Sequence, residues 1–384
     1  MPVRRERDGA GGKGVPGDPR ALLPRRRDRG EHALRTDLLD YELPERLVAQ
    51  RPASRRRDAR LLTLSRDTGE IGHRMFFALP SLLRPGDLLV VNDTKVIRGR
   101  LRGRRPGGGS VEIFLLSRLG KDDPAGELWE ALARPSKRLS EGDAFGIGGV
   151  LAVRLVRRHE GGRWEVSLSA ADGTVAGALE RVGEVPLPPY IRRDADAPSL
   201  EEDALRYQTV YAARPGSVAA PTAGLHFDEE MLRELGAAGI GVARVTLSVG
   251  YGTFSPIRTE EVEEYAIHPE EYRLPPAAAE AVNVTRGRGG RVVAVGTTSV
   301  RVLETCAGED GTVSPSEGVT RKFIFPGYGF RAVDALLTNF HLPRSSLLAL
   351  VMAFAGVDAV RAAYRAAVEE GYRFYSYGDA MLIR

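Results

Sequence analysis

Between Gly99 and Ser169 the chain carries short alternating apolar runs, Ser110 to Leu116, Leu128 to Ala133, Ala144 to Ile147, Leu151 to Leu155 and Trp164 to Leu168, separated by Gly and Asp turns. Successive side chains of a strand point to opposite faces, so each run buries one face and leaves the other wet. Strands in succession with no helical period between them have only each other to pack against, which calls for a small antiparallel barrel or sandwich.

The flanking sequence has a different rhythm. Order begins at Leu38 to Leu43, and Pro44 to Gln50 reads as a short helix with proline in its first position. Arg60 to Leu64 reads as a strand, Phe77 to Leu83 as a helix stopped by Pro85-Gly86, and Asp87 to Asp93 as a strand buried on both faces. After the barrel region come strand Ile240 to Leu247, helix Pro275 to Arg286, strand Arg291 to Gly296 and helix Thr298 to Thr305. Strand Phe323 to Phe325 and helices Ser345 to Phe354 and Asp358 to Glu370 follow. The expected architecture is an α/β main domain with an inserted small antiparallel β-barrel domain. It divides into a disordered tail at 1–34, a first α/β segment at 35–98, the barrel at 99–170 and a second α/β segment at 171–384. The length of 384 residues agrees, since single cores stop growing at about 250–300 residues.

Hydrophobic residues make up 42% and charged residues 28% of the chain, the balance of a soluble globular protein. No apolar run reaches the ~18 residues of a membrane helix. The lone cysteine, Cys306, rules out an intrachain disulfide and a cysteine-built zinc site. Scattered histidines suggest no metal site, and cytoplasmic residence is the expectation. The formal charge of +4 is only a weak pointer to nucleic acid. Met1 to Gly30 mixes Arg, Gly, Asp and Pro with almost no aromatic residues, too little apolar surface to order itself.

Chemistry points first to Arg214 to Phe227, which packs Gly216, Gly224, two prolines, Thr222 and His226 into a stretch with no helical or strand period. Small residues let a ligand approach main-chain N–H groups. The stretch runs into Asp228 to Leu235, whose acidic first turn opens an amphipathic helix. Second, Arg291 to Arg301 is strand, glycine, then hydroxyls at a helix start. Gly296, Thr297, Thr298 and Ser299 can cradle a carboxylate or phosphate there, or Thr297 or Thr298 can simply cap the helix. Third, Asn339, His341, Arg344 and Ser345 precede an apolar helix. Ser248 to Phe254 sets two glycines around a tyrosine, and His268 with Glu270 can pair for acid/base work or lie in a solvated loop. Gly371 to Asp379 interleaves aromatics with Arg373, suited to stacking on bases or to a terminal strand. Phe325 to Ala332 fits a dinucleotide fingerprint only in letter: Pro326, Tyr328 and Phe330 suit a phosphate-hugging turn poorly.

Taken in order, these motifs resemble the S-adenosylmethionine:tRNA ribosyltransferase-isomerase family of queuosine biosynthesis, from about Asp37 to Ile383. The likeness is carried by Tyr41-Glu-Leu-Pro-Glu, Gly86-Asp-Leu-Leu-Val-Val-Asn-Asp-Thr-Lys-Val, Pro186-Leu-Pro-Pro-Tyr190, Tyr207-Gln-Thr-Val-Tyr211 and the Arg214 to Phe227 stretch. It continues in Gly296-Thr-Thr-Ser-Val-Arg301, Val333 to Pro343 and Tyr375-Ser-Tyr-Gly-Asp-Ala-Met381. One departure stands out: Ser248 occupies a position where members of that family usually carry histidine, so no base is assigned there.

The resemblance implies transfer and isomerisation of the ribosyl part of S-adenosylmethionine onto 7-aminomethyl-7-deazaguanine at the tRNA wobble position, giving epoxyqueuosine, adenine and methionine. Such chemistry needs a base at C5′, an acid near adenine and a clamp for the methionine carboxylate. On motif position, His226 and His341 are the expected acid/base groups. Gly216, Thr222, Gly224, Gly296, Thr297, Thr298, Ser299 and Arg301 are expected to bind S-adenosylmethionine as cosubstrate, with no metal. Lys95, Arg98, Arg102, Arg104, Arg344 and Tyr375 are expected to meet the anticodon stem-loop of a tRNA, with Arg100 and Arg105 in the same basic cluster, and the protein is expected to be a monomer. The rivals are a nonenzymatic RNA-binding module, a catalytically degenerate member made thinkable by Ser248, and a tRNA methyltransferase, which would release S-adenosylhomocysteine instead.

Overall fold

The computed structural model describes residues 33–384 other than 106, 124, 125, 194–199, 251 and 253–255. The expected tail therefore lies outside the described residues except for its last two. Leu34–Arg384 forms one compact unit.

Its centre is a nine-stranded mixed sheet in the order Ser316–Thr320, Glu270–Leu274, Gly241–Leu247, Leu88–Asn92, Val292–Val295, Ala335–Asn339, Ala380–Ile383, Arg60–Leu64 and Ile71–Met75. The four strands Gly241–Leu247, Leu88–Asn92, Val292–Val295 and Ala335–Asn339 run parallel to one another. Three of them, from Leu88, Val292 and Ala335, are buried at every position. Alternate residues serve opposite sides. Leu88, Val90, Val292, Ala294 and Leu336 join one apolar cluster. Leu89, Val91, Val293, Val295 and Leu337 join another. Helices cover both faces: Pro276–Gly287, Thr297–Cys306, Ser346–Ala355 and Val357–Glu369 supply the first cluster, and Leu79–Leu82 and Glu229–Ala237 the second. Double coverage explains why these strands read as unbroken apolar runs.

The second sheet has six antiparallel strands in the order Arg100–Arg104, Ser110–Asp123, Gly126–Arg134, Arg163–Ala170, Leu151–Arg158 and Ala144–Ile147. It curls until its edges nearly meet: a Cβ at Gly103 would lie 3.3 Å from Ile147 and 3.4 Å from Phe145, across the seam. Leu101, Ile113, Trp129, Val153, Trp164 and Val166 fill the inside. The helix Val175–Val182 adds Val175, Ala178 and Leu179 to that core, past the expected boundary at 170.

Local expectations fail in identifiable ways. Phe323 to Phe325 is not a strand; the buried Glu304 carboxylate instead gathers the Tyr328 hydroxyl and the Arg331 and Ala332 N–H groups, winding 322–332 around a side chain. The Pro44 to Gln50 helix is only a turn of 3₁₀ at Glu45–Leu47, because Val48 leaves it to bridge Phe374. Arg214–Ser217 forms a short strand beside Thr94–Val96, where no strand period was visible.

Candidate functional site

The parallel strands end along one edge of the sheet, the place where ligands bind in α/β folds. Val292–Val295 ends at Gly296, whose φ of 85° and ψ of 153° lie where a side chain is strained, and the turn feeds the Thr297–Cys306 helix. No side chain caps that helix, so neither threonine serves as its cap. The Thr298 hydroxyl is buried without a hydrogen-bond partner among the described residues, while Ser299 bonds back to the Val295 carbonyl at 2.8 Å. A helix N-terminus with open N–H groups and an idle hydroxyl favours an acceptor group carrying negative charge.

Opposite that turn runs the segment from Arg214, held in place by side chains. The Ser217 hydroxyl donates to the Ala219 carbonyl at 2.7 Å and accepts from Val249 N–H at 2.9 Å. Buried Asn92 fixes the neighbouring strand end, donating to the Leu247 carbonyl and accepting from the Leu247 and Thr94 N–H groups. The Thr222 hydroxyl donates to Asn339 Oδ1 at 2.9 Å, and Asn339 Nδ2 donates to the Tyr375 carbonyl at 3.2 Å. Together Ala220–Ala223, Val249, Gly296–Thr298, Thr338, Asn339, His341 and Leu347 bound a cleft that encloses about 40 Å³ and spans about 390 Å³ with its open mouth.

His341 lines the cleft. Its Nε2 shares a hydrogen bond with the Thr338 hydroxyl at 2.7 Å, and Nδ1 has no partner among the described residues. Burial drives its pKa down to about 3, leaving the ring neutral at physiological pH. His226 is placed otherwise. It is buried, its Nδ1 faces the Ala223 carbonyl at 3.1 Å and its Nε2 the Gly378 carbonyl at 3.0 Å, and the ring stacks on Phe76. Burial lowers its pKa as well. A neutral ring carries one N–H, so His226 donates to one of these two carbonyls, and it is not among the residues that bound the cleft above.

Leu347 also borders a second pocket, lined by Arg301, Glu270, Tyr265, His268, Lys322 and Phe323 among others. Arg301 lies one helical turn past Thr298 on the same helix. Its Nη1 pairs with the buried Glu270 carboxylate, its Nε donates to the Lys322 carbonyl at 3.1 Å, and its Nη2 is buried with no partner among the described residues. Burial lowers its pKa to about 10, so it stays charged at neutral pH. Glu270 also accepts the Gly250 N–H at 3.0 Å. His268 is exposed and presses on Gly252, where a Cβ would lie 2.1 Å from the ring.

Of the residues expected to bind the cosubstrate, Thr222, Gly296, Thr297 and Thr298 meet in the cleft and Arg301 lines the adjoining pocket. Gly216, Gly224 and Ser299 do not line it. Gly224 is needed for packing, since a Cβ there would lie 2.1 Å from the Tyr211 hydroxyl. Thr338 and Leu347 are cleft residues that the motifs did not single out. Thr338 sits in an apolar run now seen as the Ala335–Asn339 strand, and that run was the available signal.

Most of the expected RNA contacts have protein partners. Lys95 and Arg98 reach Glu180 at 3.5 and 3.3 Å, Arg100 reaches Glu112 at 2.7 Å and Arg102 reaches Glu184 at 3.3 Å. Arg104 is exposed on the outer face of its strand. Arg344, outside the cleft, pairs with Asp40 at 2.8 Å. Tyr375 is 9% exposed and makes a tilted contact with Tyr190, ring centroids 4.7 Å apart. Ser345 caps the Ser346–Ala355 helix. Of the Ser248 to Phe254 stretch, residues 251 and 253–255 lie outside the described residues; Ser248 N–H pairs with the Glu271 carbonyl at 2.9 Å. Among the described residues no group of three or more His, Cys, Asp or Glu could hold a metal ion, and no single helix is long and apolar enough to cross a membrane.

Comparison with known proteins gives one answer. The sequence model of a family described as queuosine biosynthesis protein matches residues 36–383. Curated proteins named S-adenosylmethionine:tRNA ribosyltransferase-isomerase are similar: one from Methylobacterium sp. is 52% identical over 91% of this chain and 98% of its own length. Another from Moorella thermoacetica is 50% identical over 91% of this chain and all of its own. The crystal structure of S-adenosylmethionine tRNA ribosyltransferase from Thermotoga maritima is similar at 38% identity, with a TM-score of 0.50, over 90% of this chain and all of that one. Motif order, matched length and fold together establish that this chain belongs to the queuosine biosynthesis protein family, that of the S-adenosylmethionine:tRNA ribosyltransferase-isomerases.

Proposed function

We propose that the cleft at the Thr297–Cys306 helix is where this S-adenosylmethionine:tRNA ribosyltransferase-isomerase holds its cosubstrate. The observation that carries the site is a pair of idle buried donors, the Thr298 hydroxyl and Arg301 Nη2, one turn apart on one helix. Buried polar groups without partners are costly, and such a cost is retained where a ligand relieves it. Thr298 lines the cleft and Arg301 the adjoining pocket, so the methionine carboxylate is assigned to the Thr298 side of the cleft, with Arg301 supplying positive charge from one turn further along the helix. The enclosed 40 Å³ admits only about one or two waters, so ribose and adenine occupy the open mouth beside Thr222 and Asn339.

His341 is the proposed acid/base group, because it lines the cleft and its Nδ1 has no partner among the described residues. In the reaction the sulfonium acidifies the C5′ hydrogens, a base removes one and adenine departs. The aminomethyl nitrogen of the tRNA base then attacks the unsaturated sugar, and a sugar oxygen displaces methionine to close the epoxide. His226 is assigned to holding loops together. The inserted barrel, residues 99–170, is assigned to gripping the anticodon stem-loop through Arg104 and its neighbours, with the enzyme acting as a cytoplasmic monomer.

The test incubates the protein with S-adenosylmethionine and a stem-loop carrying the aminomethyl-deazaguanine, and follows adenine and the modified base by mass spectrometry. The wild type is expected to form both, and His341→Gln to lose most of the rate while His226→Gln, once folded, keeps it. S-Adenosylhomocysteine in place of adenine would refute the reading, and equal rates in the two variants would refute the histidine assignments.

A further inference from the structure

A separate cavity of about 320 Å³ opens between the Asp40 to Glu42 stretch and the Val357–Glu369 helix, and shares no lining residue with the cleft. That volume falls at the low end of small-molecule sites, about 300–1000 Å³. Its apolar side is Tyr41, Tyr364, Met352 and Val368. Arg361 and Arg365, one turn apart on the helix, line it with Glu369 one turn further on, and Glu42 joins them from the other wall. Asp40 is already tied to Arg344, so the charges left around the cavity are two of each sign. A balanced set gives no net attraction for an RNA phosphate backbone or for a bare anion. It complements a molecule that carries both charges.

The cavity also touches the chemistry. The Tyr41 hydroxyl donates to the His341 carbonyl, and the His341 N–H donates to the Tyr364 hydroxyl at 2.9 Å. The two rings meet edge to face with centroids 5.0 Å apart. Both hydrogen bonds on the main chain of the cleft histidine therefore come from side chains that wall this cavity.

We propose that the cavity is a second ligand site, for a zwitterionic α-amino acid with an apolar side chain, and that its occupancy acts on the cleft through Tyr41 and Tyr364. The carboxylate meets Arg361 and Arg365, the ammonium meets Glu42 and Glu369, and the side chain lies on Tyr41, Met352 and Val368. Turnover releases methionine, an amino acid of this class, which makes the site a sensor of product. That source rests on the transferase reading above, whereas the site itself does not.

The experiment is calorimetric titration of the full chain with L-methionine while excess S-adenosylmethionine, without tRNA, fills the cleft. One equivalent is expected to bind still. Arg365→Ala and Glu369→Gln, both outside the cleft, are each expected to weaken it about tenfold, as are N-acetylmethionine and methioninamide as probes. Initial rates at saturating S-adenosylmethionine are expected to fall with added methionine in the wild type but not in Arg365→Ala. Complete displacement of methionine by S-adenosylmethionine, binding unchanged in both variants, no saturable binding, or adenine binding there in its place would each overturn the proposal. Methionine binding at this site in a protein that forms no adenine would leave the site standing and remove the transferase reading.

Discussion

Replacing Thr298 by valine separates a ligand-binding hydroxyl from a packing one by the sign of its effect. Thr298 is 8% exposed and its hydroxyl has no partner among the described residues, so the empty protein bears the cost of burying an unmade hydrogen bond, about 1–3 kcal/mol. Valine keeps the β-branched shape, and its helix propensity is within a few tenths of a kcal/mol of threonine's. The unliganded variant should therefore be more stable by about 1 kcal/mol, read as a higher urea midpoint at unchanged slope. The same change removes a hydrogen bond to the cosubstrate, and affinity for S-adenosylmethionine should fall about 2- to 10-fold in calorimetric titration. Thr338→Val is the internal control. Its hydroxyl is bonded to His341 at 2.7 Å, so the unliganded protein should lose about 1 kcal/mol or more. A Thr298→Val protein that is less stable and binds S-adenosylmethionine as well as wild type would refute the reasoning.

Other consequences are equally direct. His341 has a folded pKa lowered to about 3 against an unfolded 6.5, so the unfolded state binds the extra proton. The stability this contributes is complete above about pH 6.5 and is lost as pH falls toward 3, at about 1.4 kcal/mol per unit; His341→Gln should flatten that limb of a urea-unfolding series. Gly224→Ala should destabilise by about 1–3 kcal/mol through overlap with the Tyr211 hydroxyl, and Tyr211→Phe should recover part of the loss in a double-mutant cycle. Glu180 holds both Lys95 and Arg98, so Glu180→Gln should strengthen stem-loop binding, whereas Arg104→Ala should weaken it and reduce the salt slope by about one; filter binding across salt concentrations would show neither change if the barrel does not meet RNA.

Where apolar patterning alone decides an element, the sequence was enough to locate it. The Asp87 to Asp93 and Arg291 to Gly296 runs are strands buried on both faces, and the barrel strands lie at the expected alternations. Strands whose pairing comes from far along the chain were not legible: Ile71–Met75 is half-polar and gains its place only by pairing with Arg60–Leu64. Glu270–Leu274 carries three charged residues and is fixed between two distant strands. In the site, glycine and hydroxyl clustering at Gly296–Thr298 marked the cleft. Histidines could not be sorted the same way. His226 and His341 stand in equally polar motifs, and only the fold shows one ring closed off by two carbonyls and the other facing a cavity. The basic run Lys95 to Arg105 concealed its acidic partners Glu112, Glu180 and Glu184, which follow later in the chain.

The central claim is that the ribosyl group of S-adenosylmethionine, not its methyl group, passes to the tRNA. S-Adenosylmethionine carrying tritium on the ribose and carbon-14 on the methyl group tests it in one reaction with the modified stem-loop. Tritium should enter the RNA while carbon-14 stays with free methionine, and Thr298→Val should need more cosubstrate to reach the same rate. Carbon-14 in the RNA, or neither label there, would contradict the account.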